Sequence, residues 1–578
     1  MRWIVNKQIT TKERNQFPQI NLIILQLLFN RKLKTQKQID EFLDPDYNQN
    51  VYDPFLFSGM NKTIKRIFSA IENQELIMVH GDYDADGICG SLILIETLEK
   101  LGAKTDIYIP DRAKEGYGLK EKAIDYINQK NKENKQEKGL IITVDCGIKS
   151  AEAVEYAQKN NIDVIITDHH IFDENLPKAF TVIHTGIGEA LYPFKPLAGA
   201  GVAFKLAQVL LKEKQKMDDK FNFEGFEKWL LDLLAIATIA DLVPMLGENK
   251  TLTKYGLVVL NKTKRIGLKK LIEISGFLPT SELTVYNVGF QLAPRINATG
   301  RLKNANTSYQ LLKTKNEKEA EKIAKELDEI NKKRQQIVEE IILQAINQIG
   351  IITNKQKILF ALDKNWPEGV LGLVAGKLCQ KFNRPTLIMT HKEENGQQLL
   401  IGSGRSNNFD LISALEKNKD ILVSFGGHKC ACGFKFLKND LENFREKLIQ
   451  IAKEEISNQD LIPILNIDQE IILSDITWEL FNELKKFEPC GKENPQPKFL
   501  IKNLKIINLE KMGQEKQHLK LLVIDEKQKT IKMIGFGFGE KGDTLNINDK
   551  IDVIVEINFN KWNGNKELQL KIVDLKNS

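Results

Sequence analysis

One histidine and three aspartates lie within nine residues, VHGDYDADG at 79 to 87, at the end of the apolar run ELIMV. Aspartates are common in turns because their side chains hydrogen-bond the backbone two residues on, so such a loop can exist without chemistry. Three neighbouring negative charges repel one another, however, and a cation or full solvation is needed to offset the repulsion. The stretch therefore indicates either a solvated turn or a binding site for metal ions.

Further candidate ligands follow other apolar runs. GLIITVD ends in Asp145, IDVIITDHH ends in Asp168, His169 and His170, and LLDLLAIATIADLVPML contains Asp241. Each has an ordinary explanation, because aspartates cap helices and a histidine near a core is usually only hydrogen-bonded. Taken together, histidines and carboxylates in two sets are the donors that a pair of divalent ions needs. Mixed imidazole and carboxylate ligands suit Mn²⁺ better than Mg²⁺, which prefers oxygen ligands.

Alternating strand and helix patterns surround these residues. The β-rich runs ELIMVH, KTDIYIP, GLIITVD and IDVIITD are separated by helical patterns such as ICGSLILIETLEKLG and AEAVEYAQKN. This alternation predicts an α/β fold with a doubly wound parallel sheet. Because ligands bind beyond the carboxyl ends of such strands, we expect the acidic loops to converge.

Composition limits the class of protein. A chain of 578 residues with 42% hydrophobic and 28% charged residues predicts about three or four globular domains. No apolar run approaches the roughly 18 residues of a membrane span, the first residues lack the core of a signal peptide, and the six cysteines show no CxxC pair. We therefore expect a cytoplasmic protein without a membrane segment or zinc site. The net charge of +6 places any polyanion site in a local groove.

Several motifs carry a family resemblance. The spacing HxxxDxD at 80 to 86, followed by Asp145, the DHH triplet and Asp241, resembles the DHH phosphoesterase superfamily. The segments IPDRAKEGYG, YPFKPLAGAGVAFKL, ATIADLVPML and PRINATGR are similar to motifs of the RecJ family of single-strand-specific 5′ to 3′ exonucleases. WPEGVLGLVAGKL, GSGRS and FGGHKCACGF resemble the accessory DHHA1 domain, so the resemblance covers most of the chain.

The resemblance implies a set of catalytic and metal-binding residues. One ion would be held by His80, Asp84 and Asp145, and the other by Asp86, Asp145, His169 and Asp241. Asp145 would bridge, His170 would face the phosphate, and Asp168 would brace the histidines. Asp82 could instead hydrogen-bond the loop or approach a metal. The expected cofactors are two divalent ions, Mn²⁺ or Mg²⁺.

The resemblance also implies residues that hold the substrate. Arg112, Ser403 and Arg405 would bind a terminal 5′-phosphate, since the planar guanidinium suits phosphate, although GSGRS could be an ordinary turn. Gly426, Gly427 and His428 would line the same cleft. Arg295 and Arg301 could grip the strand backbone without sequence preference, or Arg301 could pair with an acid.

The predicted domain order is catalytic DHH domain, linking helix, smaller α/β DHHA1 domain and C-terminal OB-type barrel. The predicted bounds are 1–315, 316–350, 351–455 and 456–578. Residues 316 to 349 have helical spacing in a charged background, and β-rich runs after PQP fit a barrel that binds single strands. Phe559 and Trp562 could stack on bases, although strand aromatics are more often core residues.

The leading hypothesis is a single-stranded-DNA exonuclease releasing nucleoside 5′-monophosphates in DNA repair and recombination. Its expected partners are single-stranded DNA, a single-strand-binding protein and a helicase, and the chain is expected to be a monomer. One alternative is a DHH phosphodiesterase acting on short oligonucleotides or cyclic dinucleotides. Another is a non-catalytic DNA-binding scaffold, which would be expected to have lost ligands.

The chain departs from the family pattern at a few positions. His184 and Thr185 stand where the family has Asn-Pro, Cys490 and Glu493 replace Phe and Gly, and Thr299 replaces Ala. None of these departures removes a predicted ligand. They concern loop geometry and the segment that leads into the barrel.

Overall fold

The computed structural model describes residues 1–172, 175–188, 192–278, 281–394, 396–562 and 565–578. The chain forms two compact units. The larger contains residues 52–243 and 255–463, and the smaller contains residues 1–51, 244–254 and 464–578. Within the described residues, none of the helices combines the length and the apolar character that a membrane crossing requires.

A parallel sheet forms the first part of the larger unit. Its strands, in spatial order, are Lys104–Tyr108, Leu76–Gly81, Gly139–Val144, Ile162–Thr167 and Thr181–Ile183. The inner strands are apolar and buried, as strands covered on both faces must be. The predicted doubly wound parallel sheet is therefore confirmed.

Helices cover this sheet and continue beyond it. Leu231–Ala240 is buried along almost its whole length, and Gly199–Met217 is buried over its first three turns. The helical segments of this part are Pro54–Leu56, Met60–Glu72, Ala85–Lys100, Arg112–Glu115, Glu121–Glu133, Ala151–Lys159, Gly199–Met217, Phe226–Trp229, Leu231–Ala240, Gly247–Leu260, Ile266–Ile274, Val285–Asn287, Val288–Leu292, Ala293–Leu302 and Asn306–Lys313.

A long helix, Glu317–Ile349, lies in the predicted linking segment. The Asn316 side chain caps its first turn by accepting from the Glu319 amide, and Gly350, with φ of 71°, ends it. Its buried residues recur at helical spacing, and its other faces are charged.

A second, mixed sheet follows the long helix. Its strands, in spatial order, are Leu422–His428, Ala431–Leu437, Gln397–Arg405, Thr386–Glu394 and Leu359–Leu362. Its helices are Glu368–Val370, Leu371–Phe382, Leu411–Glu416, Lys438–Asp440 and Leu441–Glu455. This is the smaller α/β domain that the sequence predicted.

The smaller unit contains a closed barrel. Its strands are Phe499–Met512, His518–Ile524, Thr530–Gly535, Asn565–Asn577 and Lys550–Trp562, and the first pairs with the last. Gln469–Glu470 extends one edge, and Arg2–Val5 pairs in parallel with Ile464–Ile467. The helical segments are Thr11–Asn15, Leu22–Asn30, Gln36–Leu43, Tyr47–Asn50, Leu473–Asp475, Trp478–Lys485 and Gly539–Gly542. The predicted OB-type barrel is confirmed.

The N-terminal residues pack with the barrel. Ile24, Leu27 and Leu28 are buried in the same apolar cluster as barrel residues such as Leu519 and Val553. The sequence prediction assigned residues 1–315 to the catalytic domain, but residues 1–51 and 244–254 belong to the unit of residues 464–578. The reason is the apolar face of Leu22–Asn30, which is covered by the barrel core.

Two buried cations hold these separated segments together. The Arg31 guanidinium donates to Asn494 Oδ1 at 2.7 Å and to the Pro495 carbonyl at 2.6 Å. The Lys250 ammonium donates to the Phe487 and Glu488 carbonyls at 2.8 and 2.7 Å. Since Lys250 binds carbonyls just after Trp478–Lys485 and Arg31 binds Asn494 and Pro495 further on, residues from three parts of the chain meet in this region.

Candidate metal centre and substrate cleft

The parallel sheet brings the predicted acids to one edge. Leu76–Gly81 and Gly139–Val144 are in register with His80 opposite Thr143, and Gly139–Val144 pairs with Ile162–Thr167 with Val144 opposite Thr167. The acidic loop, Asp145 and the DHH triplet therefore leave the sheet at the same level. The expected convergence beyond the carboxyl ends of the strands is present.

Asp145 occupies a strained backbone position. Its φ is 61°, in the left-handed region that side chains other than glycine, asparagine and aspartate rarely adopt. Gly199 lies directly against it, because a Cβ at Gly199 would stand 2.5 Å from Asp145 Cβ. The Gly199 and Ala200 amides, at the start of Gly199–Met217, donate to the Asp86 carboxylate at 2.7 and 2.8 Å. The glycine-rich start of this helix thus lets one helix end support two candidate ligands.

One set of donors surrounds His169. Its Nε2 lies 3.0 Å from Asp145 Oδ1, 3.8 Å from Asp241 Oδ2 and 3.9 Å from Asp86 Oδ2. These are the four residues predicted for one of the two ions. Asp145 Oδ1 and His169 Nε2 are buried without a hydrogen-bond partner among the described residues, so both atoms are open to a shared cation.

The donors grouped at the second candidate ion site differ by one residue from the predicted set. Asp82, Asp84 and Asp145 bring ligand atoms within 4.8 Å of one another, whereas His80 is in none of the donor groups found among the described residues. His80 Nδ1 instead lies 3.4 Å from the Cys146 thiol. Asp82 Oδ1 is also buried without a partner in the described chain. The geometry therefore adds Asp82 to the candidate ligands.

The electrostatics of the cluster favour a bound cation. Burial, and then the charge of Asp84, raises the pKa of Asp86 to about 7. Burial and the neighbouring acids also raise the pKa of Asp145, while burial lowers the pKa of His80 to about 4. Buried carboxylates beside neutral imidazoles fit divalent ions. When bound, a pair of such ions supplies an activated water and stabilises the attacking and leaving oxygens of an in-line displacement.

Asp168 holds the DHH turn. Its Oδ1 accepts from the His169 amide at 2.7 Å and lies 2.8 Å from His170 Nδ1, and its Oδ2 accepts from the Ile148 amide at 3.0 Å. Burial is the largest single effect and opposes protonation of His170, but the hydrogen bond to Asp168 and the charges of the nearby aspartates together raise its pKa. These contacts fix Asp168 against both histidines of the triplet, and the raised pKa lets His170 carry a proton.

Other residues support the site without having been predicted. The Tyr117 hydroxyl donates to the Asp145 carbonyl at 2.9 Å and lies 3.0 Å from His170 Nδ1. Asn297 Oδ1 accepts from the Ala85 amide at 2.7 Å. The sequence offered one signal that could have identified them: Tyr117 and Asn297 lie inside segments that resemble family motifs.

His184, one of the residues that depart from the family pattern, hydrogen-bonds the DHH turn. Its Nδ1 accepts from the Gly186 amide at 2.9 Å, so its Nε2 carries the proton and donates to the His170 carbonyl at 3.0 Å. An amide side chain also offers one donor and one acceptor. His184 therefore makes a polar contact with the backbone of the DHH turn.

Three predicted phosphate-binding residues lie in favourable surroundings. Arg405 Nη1 donates to Ser403 Oγ at 3.1 Å, and a Cβ at Gly372 would be 2.9 Å from Arg405 Nη2. Burial lowers the pKa of Arg405, and the positive charge of Arg112 lowers it further. The Arg112 guanidinium lies 5.0 Å from the Tyr83 ring centre. Among the described residues no carboxylate pairs with Arg405, which suits it to an anion.

The remaining residues that were predicted to bind substrate differ in their partners and in their exposure. Arg295 is paired with Asp328 at 2.8 Å, while Arg301 donates to the Gly369 carbonyl at 3.1 Å. Burial, followed by the charge of Arg112, lowers the pKa of Arg301 to about 10. Gly426, Gly427 and His428 lie in an exposed edge strand. Arg301 thus lies near Arg112 and Arg334, whereas Arg295 shares the Asp328 carboxylate with Lys332.

Comparison with known proteins identifies the family. The DHH family, N-terminal domain, matches residues 76–238, the DHHA1 domain matches 354–454, and the RecJ OB domain matches 467–574. The single-stranded-DNA-specific exonuclease RecJ of Bacillus subtilis is 38% identical over 99% of this chain and 70% of its own length. The chain belongs to the RecJ family.

Similarity to the RecJ of a second organism supports the assignment to this family. The RecJ of Thermus thermophilus is 30% identical over 90% of this chain and 71% of its own length. The crystal structure of that RecJ in complex with Mn²⁺ has a TM-score of 0.82, at 26% identity over 100% of this chain and 80% of that one. A structure of the same RecJ with Mg²⁺ has a TM-score of 0.76. The prediction of divalent metal ions as cofactors is confirmed for this RecJ family chain.

The acid cluster gives the metal-free protein an expected pH dependence. The folded-state pKa of Asp86, about 7, lies above the unfolded value near 4, so the folded state binds more protons in this window. Stability should therefore be full below pH 4 for this group and fall as pH rises through 7. In EDTA, the melting temperature should be lower at pH 8 than at pH 6, a loss on the order of 1 kcal/mol of unfolding free energy.

Two comparisons check this expectation. Mn²⁺ should raise the melting temperature more at pH 8, because protons then compete less for the carboxylates. Asp86→Asn should flatten the dependence in EDTA. A melting temperature that rises from pH 6 to pH 8 in EDTA, or an unchanged slope in the variant, would contradict the assignment to Asp86.

Proposed function

We propose that this chain is a metal-dependent, single-strand-specific 5′ to 3′ exodeoxyribonuclease that releases nucleoside 5′-monophosphates during DNA repair and recombination. The observation that carries the proposal is the buried cluster around His169 and Asp145, whose unpaired donor atoms face one another 3.0 Å apart. Relatives named single-stranded-DNA-specific exonuclease RecJ support the substrate class. A scaffold without activity would not need to keep this cluster.

In this proposal Asp145 belongs to both metal sites. One site uses Asp84 and Asp145 with His80 or Asp82, and the other uses Asp86, Asp145, His169 and Asp241. His170, braced by Asp168, provides a proton or a hydrogen bond at the reacting phosphate. Arg112, Ser403 and Arg405 bind the 5′-terminal phosphate and thereby set the direction of digestion. Arg301 and Arg295 contact the backbone of the bound DNA strand. Gly426, Gly427 and His428, in the strand Leu422–His428, line the same cleft.

The proposed reaction has expected partner proteins and an expected place in the cell. Single-stranded DNA with a free 5′ end arises when duplex is unwound, so a helicase and a single-strand-binding protein are the expected partners. We place the reaction in the cytoplasm and expect the chain to act as a monomer.

One experiment tests the function. A 5′-phosphorylated, 3′-labelled single strand, the same sequence as blunt duplex, the RNA equivalent and a dinucleotide are each incubated with Mn²⁺ and with EDTA. We expect mononucleotide release from the single DNA strand in Mn²⁺ and none in EDTA. Equal digestion of the duplex, or digestion of the dinucleotide alone, would overturn the proposal.

A further inference from the structure

An exposed aromatic pair lies outside the residues used so far. Tyr286 and Phe290 are stacked, with ring centres 4.8 Å apart and planes at 30°. Their exposed fractions are 63% and 69%, which is high for rings of this size. Among the described residues, each ring's recorded aromatic contact is with the other. Contiguous exposed apolar surface is a feature of binding sites.

The pair does not serve the protein core. The rings belong to Val285–Asn287 and to the π-helical turn Val288–Leu292. In that turn Val288 and Leu292 are the buried residues and attach it to the core. A π-helical turn in a helix is costly and occurs often at functional sites. The turn therefore presents the rings to solvent while other side chains hold it in place.

The segment is fixed to the metal centre from two sides. The π-helical turn packs on Leu231–Ala240, the helix that ends at Asp241, with a Cβ at Gly289 3.5 Å from Ile239 Cγ2. The following helix, Ala293–Leu302, holds the acidic loop through the 2.7 Å bond from the Ala85 amide to Asn297. The aromatic pair thus has a fixed position relative to the candidate ligands.

Cations adjoin the pair. Arg295 Nη1 donates to the Gln291 carbonyl at 2.7 Å, one residue from Phe290. Arg295 and Lys332 share the single carboxylate of Asp328, both at 2.8 Å. Arg334 Nε is buried without a partner among the described residues, and burial and the nearby Arg295 lower its pKa. Arg295, Lys332 and Arg334 thus outnumber the single acid Asp328 in the group that adjoins the ring-bearing turn through Arg295.

We propose that Tyr286 and Phe290 form a stacking ledge for unpaired bases of the strand beyond the scissile phosphate, with Arg334 and Arg295 contacting the adjacent phosphates. This inference rests on the proposed function. Bases stack on aromatic side chains without sequence preference, and guanidinium groups bind the phosphates between them. Rings held at a constant distance from the metal centre would keep the strand in register as it advances.

The test compares Tyr286→Ala/Phe290→Ala with wild type and with the control Leu343→Ala, an exposed apolar residue on Glu317–Ile349. Affinity for a 30-nucleotide single strand is measured in Ca²⁺, and dinucleotide hydrolysis in Mn²⁺. We expect the double variant to bind the long strand roughly fivefold or more weaker, since stacking is lost. Its melting temperature, dinucleotide hydrolysis and salt slope should match wild type. Phe290→Trp should retain affinity.

An abasic strand identifies the occupant. Wild type should lose affinity when one position of the strand lacks its base, and the double variant should show no further loss there. Equal affinity of wild type and double variant for the intact strand would overturn the ledge. So would a change in oligomeric state caused by the double variant, which would assign the rings to contact with a second copy. Failure of wild type itself to cleave single strands would instead overturn the proposed function.

Discussion

Replacing Asp145 with Asn is expected to lower single-strand hydrolysis by at least about 10³-fold while leaving the fold intact. Asp145 contributes to both sets of candidate ligands, so its loss removes several kcal/mol of charge stabilisation from the reaction. Asn is the suitable replacement because it tolerates the left-handed backbone, with φ of 61°, that Asp145 adopts. Turnover at saturating strand and Mn²⁺ provides the measurement.

The metal-free stability separates a site residue from a structural one. Neutralising Asp145 removes repulsion among buried carboxylates, so the variant in EDTA should melt at a temperature equal to or above that of wild type. Stabilisation by Mn²⁺ should be strongly reduced. Asp125→Asn, on the surface beside Tyr156, is the matched control and should change neither activity nor response to Mn²⁺. Near-normal turnover of Asp145→Asn would remove this residue from the centre of the mechanism.

Arg405→Ala is expected to reduce kcat/KM for 5′-phosphorylated strands by about 10- to 150-fold. A hydrogen-bonded, charge-assisted phosphate contact contributes on the order of 1.5 to 3 kcal/mol. Unphosphorylated strands should be affected little, so the ratio between the two substrates is the measurement. Arg405→Lys should recover only part of the preference because an ammonium lacks the planar fork.

Gly372 offers an independent way to move the same guanidinium. A Cβ at Gly372 would stand 2.9 Å from Arg405 Nη2, and this flexible group can be displaced while the helix is kept. Gly372→Ala should therefore reproduce part of the lost preference for a 5′-phosphate. Arg445→Ala, an exposed arginine near Glu442, is the control. Equal slowing of both substrates by Arg405→Ala would make the residue a general backbone or structural contact.

The sequence predicted those parts of the site that follow from strand ends. Asp145, Asp168 and His169 come directly after apolar runs, and parallel strands deliver such residues to one edge. Asp86 and Asp241, predicted to share an ion with His169, lie 3.9 and 3.8 Å from its Nε2. The choice between His80 and Asp82 could not be made in advance. It depends on which way side chains turn within one loop, and His80 turns toward Cys146.

Contacts between distant parts of the chain could not be predicted from the sequence, for a different reason. Leu22–Asn30 shows an apolar helix but nothing in its pattern says which distant surface covers it. Lys250 gives no signal in the sequence, because a lysine is usually exposed and only the folded chain brings the Phe487 carbonyl to it. At Glu493, where the resemblance leads one to expect Gly, φ is 61°, in the left-handed region that glycine adopts most readily.

The discontinuous smaller unit has a consequence for synthesis on the ribosome. Residues 1–51 emerge first, yet the strands that cover Ile24, Leu27 and Leu28 begin only after residue 464, roughly 400 residues later. At ~5–20 residues per second, translation leaves this apolar helix uncovered for about 20 to 80 s. The nascent chain thus leaves this apolar helix without its cover while residues 52–463 are made, and the helix can be buried only after residues 464–578 have left the ribosome.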